Sequence, residues 1–207
     1  MKNTLIALLL ALAAMSIAMV SFAGPVYRPQ PAGPVQITVA VDGFTCQMCP
    51  DQLQQDLAKL PGVTDVQATL DPAQVTAKLD EAKITVSQFV NAITKHKTAM
   101  DDNKTYGAHL LLFVDMQACA NQKAMCERCK VEIPARLKRV KGIDIVTLDA
   151  SGKIASLTFA PDVSVTTHDI VKAIEKSSLR FAFSFSDSAK ATKDARHQLN
   201  KGPEICH

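Results

Sequence analysis

The sequence predicts an α+β protein built from two tandem copies of one βαββαβ unit. Three observations lead there. A Cys-x-x-Cys pair, Cys46-Gln47-Met48-Cys49, recurs as Cys126-Glu127-Arg128-Cys129, 80 residues further on. The same offset carries Leu53 onto Ile133, Leu57 onto Leu137, Leu60 onto Val140, Gly62 onto Gly142 and Val66 onto Val146. One inserted residue later, Phe89, Ala92, Ile93 and Lys95 fall on Ile170, Ala173, Ile174 and Lys176. A single repeat of this length means duplicated domains rather than a solenoid. Finally, apolar periodicity switches between 2 and 3.6 in the same order within each copy.

Each element follows in chain order. Val35 to Val41 alternates, with Ile37, Val39 and Val41 on one face, as a half-buried strand does. A loop then carries the first cysteine pair, and Pro50 stands where a first helical turn tolerates it. Leu53, Leu57 and Leu60 form a helical stripe that Pro61-Gly62 ends. Val63–Leu70 and Gln74–Leu79 read as a hairpin about Asp71-Pro72, and Thr85–Lys95 as a second helix with Val86, Phe89, Val90 and Ile93 inward. Thr98–Met100 offers only a weak closing strand before the polar run Asp101-Asp102-Asn103-Lys104.

The second copy opens with a strand at His109–Val114 and continues through a helix to Val140. It then pairs Ile143–Leu148 with Ile154–Phe159 across a Ser151-Gly152 turn. A helix over about Thr167–Lys176 and alternating Phe181, Phe183 and Phe185 complete it. This is the split βαβ, ferredoxin-like order: two helices on one face of a four-stranded antiparallel sheet, twice over. The loop from strand to cysteines is about six residues longer in the second copy and contains Cys119. Pro134 replaces Gln54 five residues after the second cysteine, a position from which proline kinks a helix or delays its start.

The chain begins with Met1-Lys2 and an almost unbroken apolar stretch from Leu5 to Val20, followed by small residues at Ser21 and Ala23. That pattern predicts a secretory signal peptide. The expected organisation is a signal peptide over 1–23, a proline-rich leader over 24–34, a first domain over 35–100 and a linker over 101–107. A second, divergent domain over 108–187 and a tail over 188–207 ending in Cys206-His207 complete it. The mature chain is expected to be periplasmic or secreted and not membrane-spanning.

With 23 Lys and Arg against 20 Asp and Glu, the net charge of +3 and the absence of a dense basic run argue against a nucleic-acid partner. No Ser-His-Asp set, phosphate-cradling glycine loop or paired carboxylates emerges, so no enzyme activity is expected. His96, His109, His168 and His197 have no ligand spacing, and the Thr166-Thr167 context of His168 fits helix capping. Residues 108–187 hold eleven basic and nine acidic side chains, with Arg128, Lys130, Arg136, Lys138, Arg139 and Lys141 concentrated on one helix. Such a face is either solvated or docks on an acidic surface, that of the first copy or of a metal-delivery partner.

The chemistry lies in the cysteines. Two thiols three residues apart, where a loop enters a helix, can aim at one ion, and the helix amino terminus favours the thiolate. Thiolate pairs suit Cu(I) and Hg(II), which accept two ligands. Zn(II) asks for four, which one pair does not supply and which two facing pairs would. Met48 and Met125, beside the cysteines, offer thioethers or simply pack. In an exported chain the competing readings are oxidised structural bridges and a thiol–disulfide oxidoreductase.

Gly43-Phe44-Thr45-Cys46-Gln47-Met48-Cys49, followed by Leu60-Pro61-Gly62-Val63, resembles the heavy-metal-associated domain. That family includes cytosolic copper chaperones, the amino-terminal domains of copper-transporting ATPases and the exported mercury-binding protein of mercury resistance. Its pattern is Gly-Met-Thr-Cys-x-x-Cys, so Phe44 stands where a methionine packs under the loop. The second copy has no Gly-Met-Thr before Cys126 and departs further. The resemblance implies a carrier of a soft metal ion, Cu(I) first and Hg(II) or Zn(II) as alternatives. Cys46 and Cys49 are then the primary ligands and Cys126 and Cys129 a second pair; Cys119, in the inserted loop, reads either as an auxiliary third ligand to that second site or as half of a bridge to Cys206. The implied partner is a metal-transporting membrane protein or another metal acceptor.

Overall fold

Strand β1 (Val35–Asp42) buries Ile37, Val39 and Val41 on one face, as its alternation predicts. In the computed structural model, which describes residues 33–98, 101–115, 125–175 and 182–186, those side chains share one core with the buried residues of the helices. Helix α1 (Met48–Leu57) buries Cys49, Leu53 and Leu57, each aliphatic side chain contributing about 1.5–3 kcal/mol. Gly62, at φ +83°, turns the chain after α1 into β2 (Val63–Thr69), which pairs with β3 (Gln74–Leu79). Helix α2 (Val86–Lys95) is held at its start by a reciprocal Thr85–Gln88 capping box and buries Val86, Phe89, Val90 and Ile93.

The first copy closes differently from expectation. Lys97–Thr98, strand β4, does not return to β1; it pairs with β5 (Asp101–Thr105), so much of the polar run expected as a linker is the second arm of a small hairpin. The edge of β1 is taken instead by β6 (Gly107–Asp115), the opening strand of the second copy. The pairing is antiparallel, from Val39 opposite Leu110 to Asp42 opposite Gly107. The physical reason is composition. A sheet edge over a core needs a partner with an apolar alternate face, and Asp101-Asp102-Asn103-Lys104 has none. Ala108, Leu110, Leu112 and Val114 on β6 supply it, all of them buried.

The second copy repeats the plan. Helix α3 (Glu127–Leu137) buries Cys129, Ile133 and Leu137. It starts directly after Cys126, so Pro134 lies inside the helix and does not delay it. Strands β7 (Ile143–Leu148) and β8 (Ile154–Phe159) form the hairpin, and helix α4 (Thr167–Glu175) follows. Strand β9 (Ala182–Ser184) pairs antiparallel with the last part of β6, the closing strand that Phe183 and Phe185 predicted.

The result is one seven-stranded sheet of order β2-β3-β1-β6-β8-β7, with β9 beside β6, rather than two separate four-stranded sheets. β1 and β9 share one edge of β6, end to end, and Thr38 N–H donates to Phe185 O across the junction at 2.7 Å. Each copy keeps its β-α-β-β-α order, and buried residues of both belong to one hydrophobic core. The loops before α2 and α4 interlock. The fully buried Ser87 hydroxyl donates to Val163 O at 2.9 Å and accepts from Val165 N–H at 2.8 Å. The Glu81 carboxylate of the first copy accepts from both Thr167 N–H (2.7 Å) and its hydroxyl (2.6 Å), at the start of α4. Asn91 adds a bond to Ala160 O at 3.0 Å.

Candidate metal centres

The four helices divide into two kinds. α2 and α4, which carry no cysteine, begin with side-chain caps: Thr85 with Gln88, and Thr166 with Asp169, whose carboxylate accepts from Thr166 N–H while Asp169 N–H donates to the Thr166 hydroxyl. Capping thus fits the segment around His168. α1 and α3 have no side-chain cap, and their amino termini are occupied by sulfur. A helix start leaves several N–H groups without intrahelical acceptors, and their partial positive charge favours an anion there.

In the first copy Cys46 is half-buried in the loop after β1, and Cys49 is buried in the first turn of α1. Cys49 N–H donates to Cys46 O at 3.1 Å, folding the loop so that the two Sγ atoms lie 3.2 Å apart. Thr45 Oγ1 stands 3.8 Å from Cys49 Sγ. Burial alone would push the Cys49 thiol up. Hydrogen bonds from the Thr45 backbone, the Cys46 side chain and backbone and the Thr45 hydroxyl outweigh it and bring the pKa from 9.0 down to about 6. At neutral pH this sulfur is a thiolate, the form that binds metal and attacks electrophiles. Phe44 packs edge-on against Tyr106, centroids 5.3 Å apart, and Gly43, at φ +101°, brings the backbone beneath that ring. The sequence pointed to Phe44 as the packing residue under the loop. It did not point to Tyr106, which the β4–β5 hairpin delivers.

In the second copy Cys126 is exposed and Cys129 is fully buried, their Sγ atoms 2.7 Å apart. Met125 takes the place of Thr45 and is buried against Gly152 in the β7–β8 turn, its N–H donating to Ser151 O at 3.1 Å. Met48, by contrast, is 69% exposed beside the first pair. Lys130 pairs with Glu127 at 2.7 Å, and Glu132 takes Arg136 at 3.2 Å and Arg128 at 3.5 Å.

Cys119, Cys206, His207, His197 and the apolar leader lie outside the described residues. Among the described residues no three or more His, Cys, Asp or Glu groups gather about one point, and each copy's described part holds one pair of thiols. The two pairs do not meet. β1 and β6 run antiparallel, so the loops leaving their carboxyl ends depart from opposite ends of the sheet, and a shared four-thiolate centre within one chain is excluded. The helix that carries much of the basic face, α3, packs on α4 and β7, both from its own repeat. Arg136, Arg139, Lys141 and Lys172 rim an open cleft of about 570 Å³ between α3 and α4. Among the described residues no helix is long and apolar enough to cross a membrane.

Part of this chain matches known proteins in sequence. The heavy-metal-associated domain matches residues 38–98. The mercuric transport protein periplasmic component of Acinetobacter calcoaceticus is 31% identical over 77 residues, 37% of this chain and 80% of that protein. The copper chaperone CopZ of Staphylococcus haemolyticus is 38% identical over 55 residues, 27% of this chain and 81% of its own. Copper-transporting ATPase 2 of Homo sapiens is 24% identical over 146 residues, 69% of this chain, which spans only 9% of that protein. Among solved structures, the N-terminal soluble domains of Bacillus subtilis CopA match 77% of this chain and 98% of theirs at 18% identity, with a TM-score of 0.35. Two metal-handling relatives more than 30% identical are covered to 80% and 81% of their own length, and this chain belongs to the heavy-metal-associated domain family.

Proposed function

We propose that this protein is an exported carrier of a soft metal ion, Cu(I) or Hg(II), which it holds by Cys46 and Cys49 and releases by thiolate exchange. The observation that carries the reading is the pair of sulfurs 3.2 Å apart at an uncapped helix start, one of them with a pKa of about 6. Cys126 and Cys129, at the corresponding place on α3, are a second site of the same kind. Two ligands leave such an ion under-coordinated, so a partner's thiolate can bind before the carrier's own lets go. A metal-transporting membrane protein or another thiolate acceptor is the expected recipient. Export rests on the apolar leader and on the likeness to periplasmic mercuric proteins. The carrier reading requires no catalytic group.

Native mass spectrometry tests this on protein reduced and then offered Cu(I) or Hg(II). Reduced wild type is expected to take two ions, and C46S/C49S and C126S/C129S one each with unchanged circular dichroism. Failure of the reduced, folded protein to hold either ion overturns the reading and leaves the cysteines as structural bridges. Disulfide exchange with substrate proteins, with no metal bound, assigns the chain to thiol redox chemistry.

A further inference from the structure

The fused sheet fixes the relation of the two cysteine pairs. Asp42, the last residue of β1, lies opposite Gly107, the first residue of β6, and β6 then runs away from it to Asp115. Eight residue steps at about 3.3 Å carry the chain ~26 Å before the second cysteine loop begins. Each cysteine pair lies toward the hairpin turn of its own repeat: Val41 N–H, near the end of β1, bonds Ala73 O, and Met125 N–H, beside Cys126, bonds Ser151 O. Soft-metal–sulfur bonds are about 2.3 Å, so the ligands of one ion lie within ~5 Å of each other. The gap between the pairs is roughly five times that.

The structure gives this gap little room to close. Cys49 and Cys129 are both fully buried members of the core, each anchored in the first turn of a packed helix. The repeats are joined by the β1–β6 ladder, by both bonds of the Ser87 hydroxyl and by the Glu81 carboxylate on Thr167. Swinging one site onto the other would break the sheet.

Building on the carrier reading, we infer that the chain is a two-ended carrier whose sites face opposite ways and never exchange an ion directly. Among the described thiols, an ion passes from one repeat to the other only through a further thiolate, such as that of a second copy of this chain or of a partner. In each exchange one metal–sulfur bond forms as one breaks, the incoming thiol gives up a proton and the departing thiolate takes one. The metal keeps its oxidation state. Two ends also allow the chain to engage a donor at one end and an acceptor at the other, each through its own Cys-x-x-Cys pair.

Exchange spectroscopy by NMR on the reduced full-length chain, loaded with one equivalent of Cu(I) under nitrogen, tests this. The rate at which the ion moves between the Cys46/Cys49 and Cys126/Cys129 sites is read from residues beside each pair over a twentyfold dilution. The expected rate falls in proportion to protein concentration, extrapolates to zero, and rises linearly with added glutathione. A mixture of loaded C46S/C49S with unloaded C126S/C129S supplies the purely intermolecular rate, which wild type should match within about twofold; absence of exchange in both agrees equally. A rate in wild type that stays constant on dilution overturns the inference. If no Cu(I) binds at either site, the carrier reading itself fails, a separate outcome recorded by the stoichiometry before any exchange is measured.

Discussion

The two cysteine loops share spacing, helix position and a fully buried second cysteine, yet they are propped from opposite directions. In the first repeat the support comes from beyond the repeat's second helix. Tyr106, carried in by the β4–β5 hairpin, lies against Phe44, and Thr45 is left close to Cys49 Sγ. In the second repeat the support comes from within. Met125 fills the place over the β7–β8 turn, whose shape is set by Asp149 accepting from Ser151 and Ile154. Burial would raise the Asp149 carboxyl, but those bonds outweigh it and hold it below the usual carboxylate range. What must be kept is two sulfurs at an uncapped helix start. What holds the loop around them is free to differ.

The sharpest way to break the second arrangement is at Gly152. Its φ of +75° already disfavours a side chain, and a Cβ there would stand 2.4 Å from Met125 Cβ. Gly152→Val should cost about 2–4 kcal/mol, from backbone strain and overpacking together. The expected readings are a thermal midpoint lowered by several degrees and, below that midpoint, an ion lost from Cys126/Cys129 while Cys46/Cys49 keeps its own. Equal loss from both sites would show that the two loops are not supported independently.

A smaller effect, of opposite sign, is expected at Pro134. Its counterpart Gln54 lies in α1, and its side-chain Oε1 accepts from Ala68 N–H on β2 at 3.0 Å, tying helix to strand. Pro134 inside α3 can offer neither that bond nor a backbone N–H. Pro134→Gln should therefore raise stability by roughly 1–2 kcal/mol, seen as a higher urea midpoint with unchanged slope. A fall in the midpoint would mean that α3 is shaped around its proline.

Much of this was legible in the sequence, because local periodicity reports local structure. The alternation of Ile37, Val39 and Val41, the stripe of Leu53 and Leu57 and the repeated glycines at 62 and 142 set the elements to within a few residues. The cysteine pairs announced both candidate sites. The joining of the two sheets was not legible, because strand periodicity says which face is buried but not which edge is paired. The weakness of the first copy's closing strand was the available signal: an unsatisfied β1 edge had to find a partner, and β6 was the next apolar strand in the chain. Ser87 and Glu81 were equally silent. A serine and a glutamate near a helix start look like ordinary capping residues until another repeat's loop is placed against them.

The smallest predicted change exchanges one repeat's residue for the other's. Thr45→Met puts into the first loop the side chain that occupies the same position in the second. It removes the hydroxyl 3.8 Å from Cys49 Sγ, the weakest of the contacts that favour the Cys49 thiolate, and leaves the backbone bonds from Thr45 and Cys46 in place. The Cys49 pKa, about 6 in the native loop, should accordingly rise by less than about one unit, or under ~1.4 kcal/mol. The pH dependence of thiolate ultraviolet absorbance in the folded chain, compared with that of C49S, reads this without needing access to the buried sulfur. The midpoint assigned to Cys49 should move upward while its amplitude stays the same, since the absorbing species is still the thiolate. A midpoint returning to the ordinary thiol range would make the threonine hydroxyl, rather than the backbone at the helix start, the main source of the Cys49 anion. The second repeat, with Met125 in that position, would then differ from the first in chemistry as well as in packing.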